Sequence, residues 1–328
     1  MTDITLPEIE GLAVRGFRGD ADYEAMADLI NVHNDRFGGI GFVTGPELKG
    51  WLDTAEDFDK ASDYTFIETD NRVIAYLLTS TWQEHGGRRI YRHMGRVHPD
   101  WWRRGLGRAL IDHAIARQSK RIRSLGPGTL QTYAYDGDLA LERILSELGY
   151  QPVGHDFEMV RPHLDDIPER PLPDGLEMRP VEQSQLRAIW EADVEAFKDH
   201  WGTSPATEGD WQAFLDFAHR DESMWKVAWH GDRVVGQVRG YISREENEKE
   251  GVKRGWCEFI STAKEWRGKG VASALICETL REFARRGLEE SALGVHAENP
   301  TGALSLYEGL GFERVSGGTI YERELADA

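Results

Sequence analysis

Cysteine is scarce: Cys257 and Cys277 are the only two among 328 residues, too few for a disulfide framework or a cysteine-built zinc site. That scarcity predicts a reducing compartment, the cytoplasm, and no metal centre. Positive charge is short as well. With 39 Lys and Arg against 57 Asp and Glu, the formal net charge is −18, a field that repels phosphate backbones and anionic membranes. Nucleic acid and membrane are therefore argued against as partners, and an anionic ligand needs a local positive pocket. No run approaches the ~18 consecutive apolar residues that cross a bilayer, and Met1 to Glu10 carries neither the basic nor the apolar region of a secretory leader. What remains, 40% hydrophobic and 29% charged, is the composition of a globular chain long enough for about two domains.

Four of the 12 prolines fall between Pro162 and Pro173, in a polar stretch unable to form helix or interior strand. It predicts a linker over 162–174 between an N-terminal domain over 1–161 and a C-terminal domain over 175–328. The halves repeat one another. Gly11-Leu12 and Val14-Arg15 align with Gly175-Leu176 and Met178-Arg179, and each opening strand precedes a helical pattern, around 23–33 and 185–197. Next comes a hairpin signature in each half, turning at Asp70-Asn71 and at Gly231-Asp232. Then His93–Ile111 aligns with Glu258–Ile276 without a gap, at a constant offset of 258 − 93 = 165. In both, a strand enters a glycine-rich turn and an amphipathic helix. Both halves close on a second helix stopped by Gly149 or Gly311 and a final strand. The expected fold is α/β (α+β), as two tandem domains.

Such a turn aims several backbone N–H groups at one spot, where the positive end of the helix dipole reinforces them. That spot suits a pyrophosphate, although a turn that only packs has the same spacing. The turn fits neither a P-loop nor a dinucleotide-binding fingerprint. Strand, Arg267-Gly268-Lys269-Gly270-Val271-Ala272, helix, strand, then Asn299, Ala303, Tyr307, Gly311 and Phe312 resembles the GNAT (GCN5-related N-acetyltransferase) superfamily. The tandem arrangement is similar to that of the mycothiol synthase family, whose substrate is not carried over. The resemblance implies a twisted mixed sheet in each domain, flanked by helices and splayed between its fourth and fifth strands to admit acetyl-CoA. It also implies pantetheine added along Ile260, Ser261 and Thr262, and pyrophosphate held by Arg267, Gly268, Lys269, Gly270, Val271 and Ala272, with Asn299 and Ala303 alongside.

Two side chains are candidate catalytic groups. Tyr307, one turn beyond Ala303 on a helix expected to be capped by Asn299-Pro300, is by resemblance the proton donor to the leaving thiolate; otherwise it is a core tyrosine. Glu258, expected on the strand face of Ile260 and Thr262 by the period-two rule, is either the base that takes the amine's proton or a carboxylate that orients the substrate. His296 is the second candidate base. The implied chemistry is direct transfer of acetyl from acetyl-CoA to a primary amine of a small molecule or peptide. A non-catalytic acyl-CoA sensor, and transfer to a protein lysine or N-terminus, are the alternatives. Glu195, Asp199 and Trp201 suit a cationic acceptor or form a solvated acidic loop. The run 244–254 reads as an exposed hairpin tip.

The N-terminal half departs from the pattern. Leu145 stands at the position of Tyr307, Gly137 at that of Asn299, His93 at that of Glu258 and Trp102 at that of Arg267. Gly95, Arg96 and Val97 align with the pantetheine strand, and Arg103, Arg104, Gly105, Leu106, Gly107 and Arg108 with the turn. These are expected to bind acyl-CoA without turning it over, the alternative being a second working site with His93 as base.

Overall fold

The computed structural model describes residues 4–53, 59–298 and 302–325. Its strands and helices, in chain order, are β1 (Ala13–Arg15), α1 (Ala21–Phe37), α2 (Gly45–Leu52), α3 (Lys60–Asp63), β2 (Tyr64–Thr69), β3 (Arg72–Gln83), β4 (Arg89–Val97), α4 (Leu106–Leu125), β5 (Gly128–Tyr135), α5 (Leu139–Glu147) and β6 (Gln151–Arg161). There follow β7 (Glu177–Met178), α6 (Leu186–Phe197), α7 (Glu208–Asp216), β8 (Lys226–His230), β9 (Arg233–Tyr241), α8 (Arg244–Glu250), β10 (Arg254–Thr262), α9 (Val271–Arg285), β11 (Glu290–His296), α10 (Ala303–Gly309) and β12 (Glu313–Leu325). The chain forms two compact units, Met1–His155 with Gly317–Ala328, and Asp156–Ser316. The proline-rich stretch 162–174 thus belongs to the second unit, and each unit's sheet is completed by a strand that the other half of the sequence begins.

In the first unit the sheet order is β1-β2-β3-β4-β5-β12. Its β2–β3 turn follows the sequence: Asp70 and Asn71 both take positive φ, 48° and 62°, as a two-residue hairpin turn that matches strand twist requires. In the second unit the order is β6-β11-β10-β9-β8-β7. Both sheets are mixed, with one parallel pair between the fourth and fifth strands of the repeat. That pair is short in each. β10 and β11 are in register only from Arg254↔Glu290 to Trp256↔Ala292, although both strands run on. β4 and β5 part after Arg92↔Gln131. The splay expected from the resemblance is present in both sheets.

Helix α9 lies on one face of the second sheet because its apolar stripe, including Leu275, Ile276, Leu280 and Phe283, is fully buried. Each such side chain contributes about 2 kcal/mol by area removed from water. The helix approaches closely because glycines face it: a Cβ on Gly236 would stand 2.6 Å from Val271 and one on Gly240 would stand 2.9 Å from Thr279. Helix α6 covers the opposite face, where Gln237 donates to the Ile189 carbonyl at 2.9 Å.

Segment 244–254 is not an exposed hairpin tip. It contains α8, capped by the Ser243 hydroxyl and stopped by Gly251 in the left-handed region. Glu246 is buried against Arg254 at 2.9 Å and accepts the Trp256 indole N–H at 2.8 Å. Alternating charge reads as solvated surface until one carboxylate finds buried partners.

Candidate active site

A cleft of about 360 Å³ opens in the second unit where β10 and β11 part, within the size range of small-ligand sites. Its walls are the end of α6, the strand residues Ile260, Ser261 and Thr262, the turn into α9, and Ala303, Leu306 and Tyr307 of α10. Sequence-predicted residues from three separate segments therefore meet around one cavity.

The turn is built as its glycines require. Gly268 and Gly270 adopt φ of 71° and 89°, a region that disfavours side chains. Gly270 caps α9 without any side-chain hydrogen bond to the first turn, so first-turn N–H groups near Val271, Ala272 and Ser273 face the cleft as an anion cradle. Arg267 lines the same cleft. Its guanidinium donates to the carbonyls of Thr262 at 3.2 Å and Ala196 at 2.7 Å, tying the end of β10 to the end of α6. Lys269 stands outside the cleft lining, its ammonium 4.8 Å from the Trp266 ring centroid. Asn299 lies outside the described residues, as does its expected capping pair with Pro300, and α10 begins at Ala303 after Gly302.

Tyr307 is buried, 6% exposed, one turn along α10 from Ala303. Desolvation, with the nearby Cys257 and Glu258 adding to it, holds its pKa well above the ordinary phenol value. It stays a protonated donor at neutral pH.

Glu258 requires a correction. Its expected face, shared with Ile260 and Thr262, is broken by a bulge: pairing with β9 runs Glu258↔Arg239 and then jumps to Ser261↔Gln237. Phe259, at φ 50°, absorbs the extra residue. Glu258 consequently shares the α6 face with Ser261, while Ile260 and Thr262 turn towards α9. At the head of the splay its carboxylate accepts the Gly294 N–H at 2.6 Å, a group that a continued ladder would have consumed. It is packed among protein atoms with a strip of surface left open, and desolvation pushes its pKa up to about 7.

His296 is positioned by Asp156, 2.9 Å from its Nδ1, and by the Trp201 indole stacked at 5.1 Å. Asp199, which the sequence offers to a cationic acceptor, is already paired with Lys264 at 2.9 Å. Glu195 is exposed and lies near Lys198, at 3.6 Å.

The corresponding region of the first unit is filled by its own side chains. Val97 offers its carbonyl to the Trp102 indole at 2.6 Å and to the His33 imidazole at 2.9 Å; burial pushes His33 down to about 4, so it is neutral. Arg96 is buried over the Tyr135 ring at 5.0 Å and donates to the Gly95 carbonyl. A Cβ on Gly95 would stand 2.6 Å from the Tyr76 carbonyl. Phe37 stacks between Tyr135 and Trp102. Over the turn, Pro7 approaches Gly105, with 3.5 Å to the position of a Cβ there. Leu106 is core, Arg104 lies over Trp101, Arg108 pairs with Asp112, and Gly107 borders open space. Arg103 takes φ 60° in the turn. His93 is buried against the Tyr150 hydroxyl at 2.7 Å and pushed down to about 3, and Leu145 is fully buried.

Sequence reasoning missed the bulge, and with it the buried Arg239–Asp193 pair at 2.6 Å beneath Phe259. A run of hydrophobic strand residues carries no mark of a left-handed phenylalanine.

A mixed sheet split beside a strand-to-helix anion cradle, with a tyrosine at the split, defines an acyl-transferase class of fold. Comparison with known proteins identifies the family: the model of the acetyltransferase (GNAT) family matches residues 26–130 and 186–312, and the chain belongs to that family. It is an acetyl-CoA-dependent acetyltransferase. The mycothiol acetyltransferase of Salinispora arenicola is 30% identical over 232 residues, covering 69% of this chain and 71% of that one. The enzyme of the same name from Salinispora tropica is 31% identical over 231 residues with the same coverage. Among solved structures, a GCN5-related N-acetyltransferase from Sphaerobacter thermophilus is similar at TM-score 0.73 and 26% identity, covering 98% of this chain and 97% of that one. A tandem GNAT protein from the clavulanic acid biosynthesis pathway shares the fold at TM-score 0.68 and 16% identity, over 95% of this chain and 98% of that one.

Proposed function

We propose that the second unit transfers acetyl from acetyl-CoA to a primary amine of a small molecule or peptide, and that the first unit neither catalyses nor binds the coenzyme. The observation that carries this reading is the convergence of Glu258, Tyr307 and the open cradle on one split sheet. Gly268, Gly270 and the first-turn amides of α9 fit a diphosphate, and the run of Ile260, Ser261 and Thr262 along the cleft wall fits an extended arm with amide groups. The orphaned Thr262 hydroxyl supports that fit. Acetyl-CoA supplies an activated thioester carbonyl.

The chain's residues supply the rest. Glu258, with its pKa near 7, takes a proton from the acceptor amine at neutral pH. Tyr307 donates its hydroxyl proton to the departing sulfur. One carbon–sulfur bond breaks as one carbon–nitrogen bond forms, so neither a covalent enzyme intermediate nor a redox step is needed.

For the first unit the support is occupancy. Phe37, Trp102 and Tyr135 stack on one another beside this strand, and the Gly95 carbonyl, counterpart of that of Ile260, accepts from Arg96. This revises the expectation that Gly95, Arg96, Val97 and the turn from Arg103 to Arg108 bind acyl-CoA.

Thiol release from acetyl-CoA, followed with a panel of primary amines, tests the reading. Tyr307→Phe is expected to lower kcat about 10²-fold, the lower end of acid–base contributions, with the KM for acetyl-CoA and the melting temperature nearly unchanged. An unaltered kcat would remove Tyr307 from the chemistry, and tight coenzyme binding without turnover of any amine would favour a sensor.

A further inference from the structure

We propose that Phe259, Phe217 and Tyr241 form the acceptor subsite, and that it selects amines carried on an uncharged planar ring; this rests on the second unit being the transferase site.

The bulge that separates Glu258 from Ile260 also displays a ring. Phe259, in the left-handed region that disfavours its own side chain, is 37% exposed. Strained residues of this kind persist where surrounding structure holds them and concentrate at functional sites. Here the surroundings are specific. The Arg239 guanidinium lies 4.1 Å behind the Phe259 ring and is itself anchored to Asp193 at 2.6 Å. Phe217 meets Phe259 edge-on, at 5.6 Å and 84°, and Tyr241 meets Phe217 edge-on at 5.1 Å and 83°. Tyr241 in turn stacks on Trp256 at 6.2 Å and 8° and on His219 at 5.4 Å and 7°, so it braces the corner that Phe217 and Phe259 form.

The location follows from register. Trp256 pairs with Tyr241 and Glu258 with Arg239 across β9 and β10, and directly paired residues project from the same face. The aromatic wall therefore shares a face with the carboxylate that receives the amine. Towards the cradle this face is occupied by Ser261 and the end of α6. An amine whose nitrogen reaches Glu258 has its carbon skeleton directed the other way, onto the wall.

Charge decides the class. One face of the Phe259 ring already holds a guanidinium, so a second cation gains little there. The charge of the substrate belongs at Glu258 and its uncharged body on the rings, whose perpendicular arrangement forms a corner for offset or edge-on contact. A polyamine has no counterpart for that corner.

The full chain tests this with phenethylamine and butylamine, two primary amines that differ in the ring. With CoA present, calorimetry is expected to give phenethylamine at least tenfold tighter binding, and kcat/KM with acetyl-CoA is expected to follow the same order. Phe259→Gly keeps the left-handed backbone, folds without strain, and is expected to bring the phenethylamine to butylamine ratio close to one while the KM for acetyl-CoA stays within twofold. Equal binding of the two amines to the native chain, or an unchanged ratio in Phe259→Gly, would overturn the proposal. Turnover of both amines without ring preference would sink the wall alone. Selective phenethylamine binding with no turnover of any amine would support the wall as a ring-binding site and overturn the transferase reading.

Discussion

Glu258 illustrates how one carboxyl group couples chemistry to stability. Its folded pKa of about 7 lies above the ordinary glutamate value, so the native state holds a proton that the unfolded chain has released between pH ~4.5 and 7. Stability contributed by this group is full below that window and is lost as pH rises through it. Glu258→Gln is therefore expected to stabilise the protein by about 1–2 kcal/mol at pH 8 and to change little at pH 4, as measured by denaturant unfolding at both values. Activity has the opposite sign. A base works ionised, so kcat/KM should climb about tenfold per pH unit below 7 and flatten above it, and the variant should lack that limb. A limb that survives in Glu258→Gln would assign the base to another group, with His296 and its Asp156 partner the first to examine. Tyr307 and Glu258 stood out as candidates through the family resemblance, from their places in its motif. Phe259 did not, since positive φ is a rare property of non-glycine residues that neighbouring side chains impose and composition does not announce.

At the scale of elements, the ungapped match of β4 to β10 predicts equal strands, yet only one is bulged. β4 pairs with β3 in unbroken register from Ala75↔Val97 to Gln83↔Arg89, whereas β10 slips between Glu258 and Ser261. A bulge made without an insertion leaves no trace in an alignment. The face assignment of Ile260 and Thr262 relative to Glu258 failed for that reason, although the strand, turn and helix themselves were readable from periodicity and glycine spacing. The segment 244–254 failed differently: its charges conceal Glu246 and Arg254, which bury each other. The seating of α9 is equally specific. Gly240→Ala would press a methyl against Thr279 and Phe283, 2.9 and 3.0 Å away, an overpacking that costs about 1–3 kcal/mol. Since the same helix carries the anion cradle at its start, urea unfolding should show the loss of stability and coenzyme titration a weaker Kd. An unchanged midpoint would mean that α9 slides without cost.

The whole molecule is a duplication in which the two copies have diverged inside a shared outline. Repeat order, hairpins and turns were legible because duplicated glycines and apolar periods survive in both halves, and the splay followed from the family resemblance. The fate of the first copy was not legible, because the turn glycines Gly105 and Gly107 remain while the space beside them is taken by residues distant in sequence: His33 and Phe37 from α1, Tyr135 from β5, and Pro7 near the start of the chain. A net charge of −18 also places the burden of anion binding on local geometry, which on the proposed reading the second copy supplies. The most direct test is a crystal structure of the full chain grown with CoA. One coenzyme per chain is expected, its diphosphate on the amides that follow Gly268 and its arm along Ile260 to Thr262, with the first unit's aromatic cluster undisturbed. Coenzyme lodged beside Trp102 and Tyr135, or a second-unit cleft empty at saturating CoA, would contradict that expectation.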